Sequence, residues 1–221
     1  MLIIVPTARE AKSLFDGPAP VGEAPVPTRV GDVAVEAALC GFGPAAAGAL
    51  AAITLHRSPD DPVALVGICG TFDEARLPVG GFFEPTEVRM HGIGRGEGEA
   101  HVGPATTGFP QAPAAGGREA VVDRLPLGDG SDLGGVPGVL LTVSAAASSP
   151  QEAAWRRGAY PDALAEDMEG FPVALACARL GRSLAILRGV SNVVGADGPW
   201  EHERGLEAAR RGLEAWVRGR K

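Results

Sequence analysis

VALVGICG at residues 63–70 is the stretch that decides the fold of this chain. Its first part, Val63–Ile68, is apolar without alternation, which predicts a central strand of a sheet covered on both faces. Gly67 and Gly70 permit either a tight turn or a close approach of a ligand to the backbone, and both interpretations stay open. Neither a P-loop nor a dinucleotide-binding glycine pattern surrounds them.

Further apolar runs on either side predict strands at Leu2–Val5, Val33–Leu39, Val139–Val143 and Leu184–Gly189. Helices are predicted at Ala8–Phe15, Ala45–His56, Gln151–Gly158, Pro172–Leu180 and Glu201–Arg218. Two Gly/Pro-rich segments, 16–28 and 92–117, are predicted loops, the second a lid or an insertion. Strands that alternate with helices predict an α/β fold, a three-layer α/β/α sandwich, in a single domain spanning residues 1–221.

Composition narrows the class of protein. The chain is 45% hydrophobic and 21% charged, which is typical of a globular protein, and its net charge is −7. An acidic balance argues against a nucleic-acid partner, because polynucleotide affinity depends on basic residues that neutralise phosphate. We expect a cytoplasmic protein without a membrane span, since the start MLIIVPTARE has no basic segment and the cysteines are sparse.

Three short segments carry candidate functional side chains. Asp167-Met168-Glu169-Gly170 precedes a predicted helix, and from this segment alone helix capping is favoured over ligand binding. Arg188–Asn192 follows a predicted strand, where it forms either a turn or one edge of a ligand site. Glu10 follows the first strand, and taken alone it is typical of an exposed helix carboxylate. No metal site is predicted, because His56, His91, His101 and His202 lack ligand spacing.

Taken together, four segments resemble the nucleoside phosphorylase and nucleosidase superfamily, and within it the futalosine hydrolases. They are VPTAREA at 5–11, VGICGTFDEARLPVGG at 66–81, DMEG at 167–170 and RGVSN at 188–192. Met-Glu-Gly before a helix, with Arg-x-x-Ser-Asn about twenty residues later, is a specific combination. The resemblance covers most of the chain, is thinner between Gly92 and Gly138, and implies a mixed central sheet.

The resemblance implies a role for individual residues. Glu10 matches the acidic residue that activates the attacking water in methylthioadenosine nucleosidases. Met168 is similar to the residue that packs on the ribose, and Glu169 to the carboxylate that binds the ribose hydroxyls. Asn192 matches the residue that contacts the purine near N7. The neighbouring Phe72 and Phe171 are expected to line the pocket.

These roles are consistent with cleavage of an N-glycosidic bond. A carboxylate stabilises the oxocarbenium-like ribose, a second carboxylate activates water, and a third group assists the leaving purine. Asn192, an amide where adenine-specific relatives carry Asp, favours a 6-oxopurine because its NH2 donates to O6 while its C=O accepts from protonated N7. A mismatched buried pairing costs on the order of 1–3 kcal/mol.

The resemblance therefore implies hydrolysis of futalosine to hypoxanthine and dehypoxanthinylfutalosine in menaquinone biosynthesis, without a cofactor or a metal, by a homo-oligomer. Three alternatives stay open: a methylthioadenosine/S-adenosylhomocysteine nucleosidase, a purine nucleoside phosphorylase, and a catalytically silent nucleoside-binding protein. Residues 142–149 lack the aromatic that stacks on the base in some relatives. Candidate partners for a carboxylate on the 5′ side of the substrate are Arg9, Arg89 and Arg95.

Overall fold

The computed structural model describes residues 1–58, 62–128 and 132–220. These residues contain ten strands: β1 Leu2–Val5, β2 Val26–Val30, β3 Val33–Leu39, β4 Val63–Thr71, β5 Phe82–Phe83, β6 Glu87–Met90, β7 Arg124–Pro126, β8 Val139–Thr142, β9 Ala163–Asp167 and β10 Leu184–Val193. The α-helices are α1 Ala8–Leu14, α2 Pro44–Arg57, α3 Pro104–Thr107, α4 Pro150–Ala159, α5 Gly170–Leu180 and α6 His202–Arg218.

All ten strands form one mixed sheet with β4 at its centre. The strand order is β2-β3-β1-β4-β9-β8-β6-β7, and β10 lies between β4 and β5. Strand β4 pairs in parallel with β1 and β10 and, near its end, antiparallel with β9. The predicted central strand is thereby confirmed, and it is buried along nearly its whole length.

Helices cover both faces of the sheet. In β1, Leu2 and Ile4 pack in a cluster with α2 and α5, whereas Ile3 and Val5 pack in a second cluster with α1 and α6. Alternate residues of a strand point to opposite faces, so these two clusters are the two sides of a three-layer sandwich. The predicted α/β/α fold with a mixed central sheet is confirmed.

Several predicted boundaries need correction. Strand β4 runs on to Thr71 and β10 to Val193, so the glycines at 67 and 70 and the segment 188–192 lie within strands, not in turns. The predicted loop 16–28 gives way to β2 at Val26. Strands β5, β6, β7 and β9 are additional elements, and the predicted loop 92–117 contains α3 and a 3-10 turn at Gly98–Ala100.

The three cysteines, Cys40, Cys69 and Cys177, are buried free thiols. Across the described ranges, no helix is long and apolar enough to span a membrane.

Candidate active site

A cavity of about 190 Å³ opens where β1, β4, β9 and β10 end. Glu10, Met168, Glu169 and Asn192 all line it, although they lie far apart in the sequence. In α/β sheets ligands collect beyond the carboxyl ends of the strands, so the position of this cavity is typical of a binding site.

Glu10 reaches the cavity from the first turn of α1. Thr7 caps the helix by accepting a hydrogen bond from the backbone N–H of Glu10 at 3.3 Å, and its hydroxyl donates to Glu10 Oε2 at 2.6 Å. The N–H of Ile68 in β4 donates to Glu10 Oε1 at 3.3 Å. The side chain is therefore buried and held in one orientation, which differs from an exposed helix carboxylate.

Asp167 and Glu169 divide two tasks between them. Asp167 caps α5 by accepting from the N–H of Gly170 at 2.8 Å, and Thr142 Oγ1 donates to it at 2.7 Å. Glu169 turns towards the cavity, where the N–H of Gly43 donates to its Oε1 at 2.9 Å. The capping interpretation therefore fits Asp167, whereas the Glu169 side chain lines the cavity, where a ligand can contact it.

Arg188 connects these carboxylates beneath the cavity. Its Nη2 lies 2.5 Å from Asp167 Oδ2 and 3.7 Å from Glu169 Oε2, and the residue is fully buried. Burial raises the pKa of Glu169 to about 7, against the opposing charge of Arg188. Burying a carboxylate disfavours its charged form, and a nearby cation restores part of that stability.

The side chains of Arg188 and Glu10 both pack closely against Gly67. A Cβ at Gly67 would lie 2.3 Å from Arg188 Nη1 and 2.7 Å from Glu10 Oε1. Arg188 Nη1 is buried and has no hydrogen-bond partner in the described part of the chain. A side chain at position 67 would therefore displace a hydrogen-bond donor of Arg188 or an acceptor of Glu10. Arg188 belongs to the sequence motif RGVSN, but the sequence did not predict its ion pairs with Asp167 and Glu169.

Asn192 is positioned by a bulge in β10. The register between β10 and β4 shifts between Val190 and Asn192, and Ser191 and Asn192 both line the cavity. The Ser191 hydroxyl donates to Asn192 Oδ1 at 2.8 Å. A Cβ at Gly70 would lie 3.0 Å from Asn192 Nδ2, so a glycine here makes room for the amide. Bulges commonly redirect side chains beside functional sites.

The remaining predicted residues separate into two groups. Met168 lines the cavity. Phe72 and Phe171 do not, which corrects the expectation for both: Phe72 packs with Leu141 and Val143, and Phe171 is 1% exposed in the core beneath α5. Both side chains point into hydrophobic clusters because the strand end and the helix that carry them face the core.

Aromatic side chains that the sequence did not single out lie at the cavity. Phe42 and Trp200 line it and remain 69% and 43% exposed. Arg9 and His202 also line it, whereas Arg89 pairs with Glu87 and Asp162 on the surface. Phe42 lies between the end of β3 and the start of α2. No residue of 92–117 is among those that line the cavity.

Among residues 1–58, 62–128 and 132–220, no group of three or more His, Cys, Asp or Glu side chains is arranged to hold a metal ion. Four buried carboxylates, those of Glu10, Glu166, Asp167 and Glu169, line the cavity together with the amide of Asn192. Such a set suits a ligand with hydroxyl groups and a polar ring.

The fold and the cavity define the class: a three-layer α/β protein of the nucleoside phosphorylase and nucleosidase type. The family model of the phosphorylase superfamily matches residues 7–216, and the chain belongs to that superfamily.

Individual relatives agree with this family. A 5'-methylthioadenosine/S-adenosylhomocysteine nucleosidase of Colwellia psychrerythraea is 29% identical over 76% of this chain and 71% of its own. A futalosine hydrolase of Streptomyces coelicolor is 34% identical over 70% of this chain and 66% of its own. The solved structure of the Colwellia nucleosidase in complex with adenine superposes with a TM-score of 0.76 at 22% identity, covering 98% of this chain and 93% of that one.

Proposed function

We propose that this protein hydrolyses the N-glycosidic bond of a purine nucleoside, and that the nucleoside is futalosine. The observation that carries the proposal is the convergence of Glu10, Glu169 and Asn192 on one cavity. A catalytically silent nucleoside-binding protein has no need to keep two buried carboxylates there, because burying an ionisable group costs stability.

Each of the three residues has a distinct task in this reaction. Glu169 binds the ribose hydroxyls and stabilises the positive charge that develops on the sugar. Glu10 takes a proton from a water molecule while that water attacks C1′ of the ribose. Asn192 stabilises the purine as it leaves with the bonding electron pair.

Water is favoured over phosphate as the attacking group. Glu10 in the first turn of α1 would repel an anion, and Arg188 is already paired with Asp167 and Glu169. A phosphorylase needs cations that are free to hold phosphate, and Arg9 is the one arginine among the residues that line the described cavity.

A 6-oxopurine is favoured over adenine by the amide of Asn192. Ser191 donates to Asn192 Oδ1, so one lone pair of this oxygen remains for a protonated N7 while Nδ2 donates to O6. Hypoxanthine, the base of futalosine, has both groups. The futalosine hydrolase from Streptomyces coelicolor among the relatives supports the same substrate.

The second candidate is hydrolysis of methylthioadenosine or S-adenosylhomocysteine. It is favoured by the nucleosidase of Colwellia psychrerythraea, which matches a larger share of this chain than the futalosine hydrolase does. It is disfavoured by the orientation of Asn192. With Oδ1 at N7, Nδ2 faces the 6-amino group of adenine, and two hydrogen-bond donors then oppose each other.

The wider setting follows from the same proposal. We propose one catalytic domain over residues 1–221, acting without a cofactor in the cytoplasm, as a homo-oligomer that supplies menaquinone biosynthesis. Support comes from the single sheet that runs from β1 to β10 and from the family match across nearly the whole chain.

The test is chromatography of the purified protein with futalosine, inosine and methylthioadenosine, each with and without phosphate. We expect hypoxanthine from futalosine at the same rate in both buffers. Release from inosine only in phosphate would assign a phosphorylase. Adenine from methylthioadenosine would assign the second candidate, and no release from any substrate would favour the silent binding protein.

A further inference from the structure

Glu166 is a buried carboxylate at the cavity that the reaction described above does not use. It lines the same cavity as Asn192 and is 4% exposed. In the sheet, Gly70 of β4 is registered with Asn192 on β10 and with Glu166 on β9. Paired residues on adjacent strands direct their side chains to one face of a sheet, so these two side chains flank Gly70 on the cavity side.

Neighbouring groups hold the Glu166 carboxylate in place. The N–H of Ala147 donates to Oε1 at 3.0 Å, and Arg156 Nη1 donates to Oε2 at 2.6 Å. Arg156 Nη2 also donates to Glu152 Oε1 and to the carbonyl oxygen of Ala145. A carboxylate oxygen can accept two hydrogen bonds, and each oxygen of Glu166 accepts one of those given above, so Glu166 keeps acceptor capacity for a ligand.

Glu166 and Asn192 lie two strands apart, with a glycine between them. Neighbouring strands are about 4.8 Å apart, so the two backbones are separated by about 10 Å. This spacing is wide enough for a purine in the cavity to contact both side chains. The position of a Cβ at Gly70 is taken by Asn192 Nδ2 and Val194 Cγ2, at 3.0 and 2.9 Å, so the glycine lets the Asn192 amide lie on the side of Glu166.

We propose that Glu166 accepts a hydrogen bond from N1–H of a 6-oxopurine and is the second residue that selects the base. This inference rests on the proposed function. Hypoxanthine carries a proton on N1, whereas N1 of adenine is an acceptor. A carboxylate fixed opposite N1 therefore attracts the first base and repels the second. Asn192 reads N7 and O6, and Glu166 reads the adjacent N1.

A purely structural role for Glu166 is the competing explanation, since its contacts also fasten the segment 143–149. Glu152 provides a matched control. It contacts the same Arg156 and the same segment, through the N–H and hydroxyl of Ser148, but it does not line the cavity. Loss of Glu152 disturbs the fastening without removing an acceptor from the base.

The experiment compares Glu166→Gln and Glu152→Gln with the parent protein. For each, kcat/KM is measured with futalosine and with its 6-amino counterpart, which differ only in the base. We expect Glu166→Gln to lower the ratio of kcat/KM for futalosine to kcat/KM for the 6-amino counterpart about tenfold or more, because it replaces the carboxylate opposite N1 with an amide. Glu152→Gln should leave the ratio within about twofold. A parallel loss on both substrates in Glu166→Gln would overturn the proposal.

A binding measurement on the parent protein makes the test independent of variant folding and of turnover. We expect calorimetry to give at least about tenfold weaker binding of 1-methylhypoxanthine than of hypoxanthine, since the methyl group replaces the N1 proton. Equal affinities would overturn the role of Glu166. If no nucleoside is cleaved but hypoxanthine still binds more tightly than 1-methylhypoxanthine, the proposed function fails while the role of Glu166 in base selection stands.

Discussion

Glu10 and Glu169 carry the same functional group on the same cavity, but their environments differ. Glu10 receives hydrogen bonds from Thr7 and from the N–H of Ile68. Glu169 is buried beside Asp167, and burial together with this negative neighbour raises its pKa while Arg188 lowers it. Two carboxyl groups in different environments can take different roles in one reaction.

The raised pKa of Glu169 predicts a pH dependence. Only the ionised carboxylate stabilises a ribosyl cation, so kcat/KM should fall below a pH of about 7, by about tenfold per pH unit. Activity is therefore lost as the pH decreases and retained above pH 7. The measurement is a profile of kcat/KM between pH 5 and 9. A profile that stays flat down to pH 5 would contradict the role assigned to Glu169.

Arg188 is also expected to dominate the stability of the site. Arg188→Met leaves Asp167 buried without its cation and should lower the free energy of unfolding by about 3–5 kcal/mol. The control is Arg29→Met, which removes an exposed pair with Asp32 and should cost less than about 1 kcal/mol. Urea unfolding measures both. Equal losses for the two variants would show that the buried pair has no special weight.

Sequence motifs identified part of this site and missed the rest for a physical reason. Glu10, Glu169 and Asn192 stand in recognisable segments. Glu166 does not, because its burial depends on Arg156 and on a cavity that only the folded sheet creates. The aromatic residues Phe42 and Trp200 were missed likewise, since no local pattern indicates which loops border the same opening.

At the scale of elements, continuous apolar strands were predictable and interrupted ones were not. Strands β1, β3 and β4 are runs of apolar residues, and their predicted starts agree with the structure. Strand β9, with the sequence ALAED, ends in two acidic residues that break the pattern. Those acids are buried because Arg156 and Arg188 pair with them, which is tertiary information.

The contact between α6 and β10 depends on two glycines. A Cβ on Gly189 would lie 1.7 Å from the backbone oxygen of Gly205, so helix and strand approach too closely for any side chain. Gly189→Ala should therefore lower the free energy of unfolding by about 3 kcal/mol, because backbone atoms cannot move aside. The measurement is chemical denaturation.

The control for that variant is Gly158→Ala in α4. A Cβ at Gly158 meets no atom within 4 Å, so alanine should be neutral or stabilising by about 0.5–1 kcal/mol through its helix propensity. If Gly189→Ala were as stable as Gly158→Ala, the close packing of α6 on β10 would be refuted.

At the scale of the whole molecule, the sheet order assembles the site. Strands β1, β4, β9 and β10 come from the beginning, middle and end of the chain, yet they are neighbours in the sheet. Alternation of strands and helices predicted the layers, but the strand order that joins Glu10 to Asn192 required the structure. Only the family resemblance predicted that Glu10 and Asn192 belong to one site, because composition and periodicity carry no information on which strands are neighbours.

The most direct test of the account is turnover by Glu10→Gln. Glutamine keeps the size of the side chain but cannot take a proton from water. With futalosine we expect hypoxanthine release to fall about 10²–10⁴-fold, while calorimetry gives the affinity for hypoxanthine within about threefold of the parent protein. A Glu10→Gln variant that releases hypoxanthine at the parent rate would contradict hydrolysis at this cavity by Glu10.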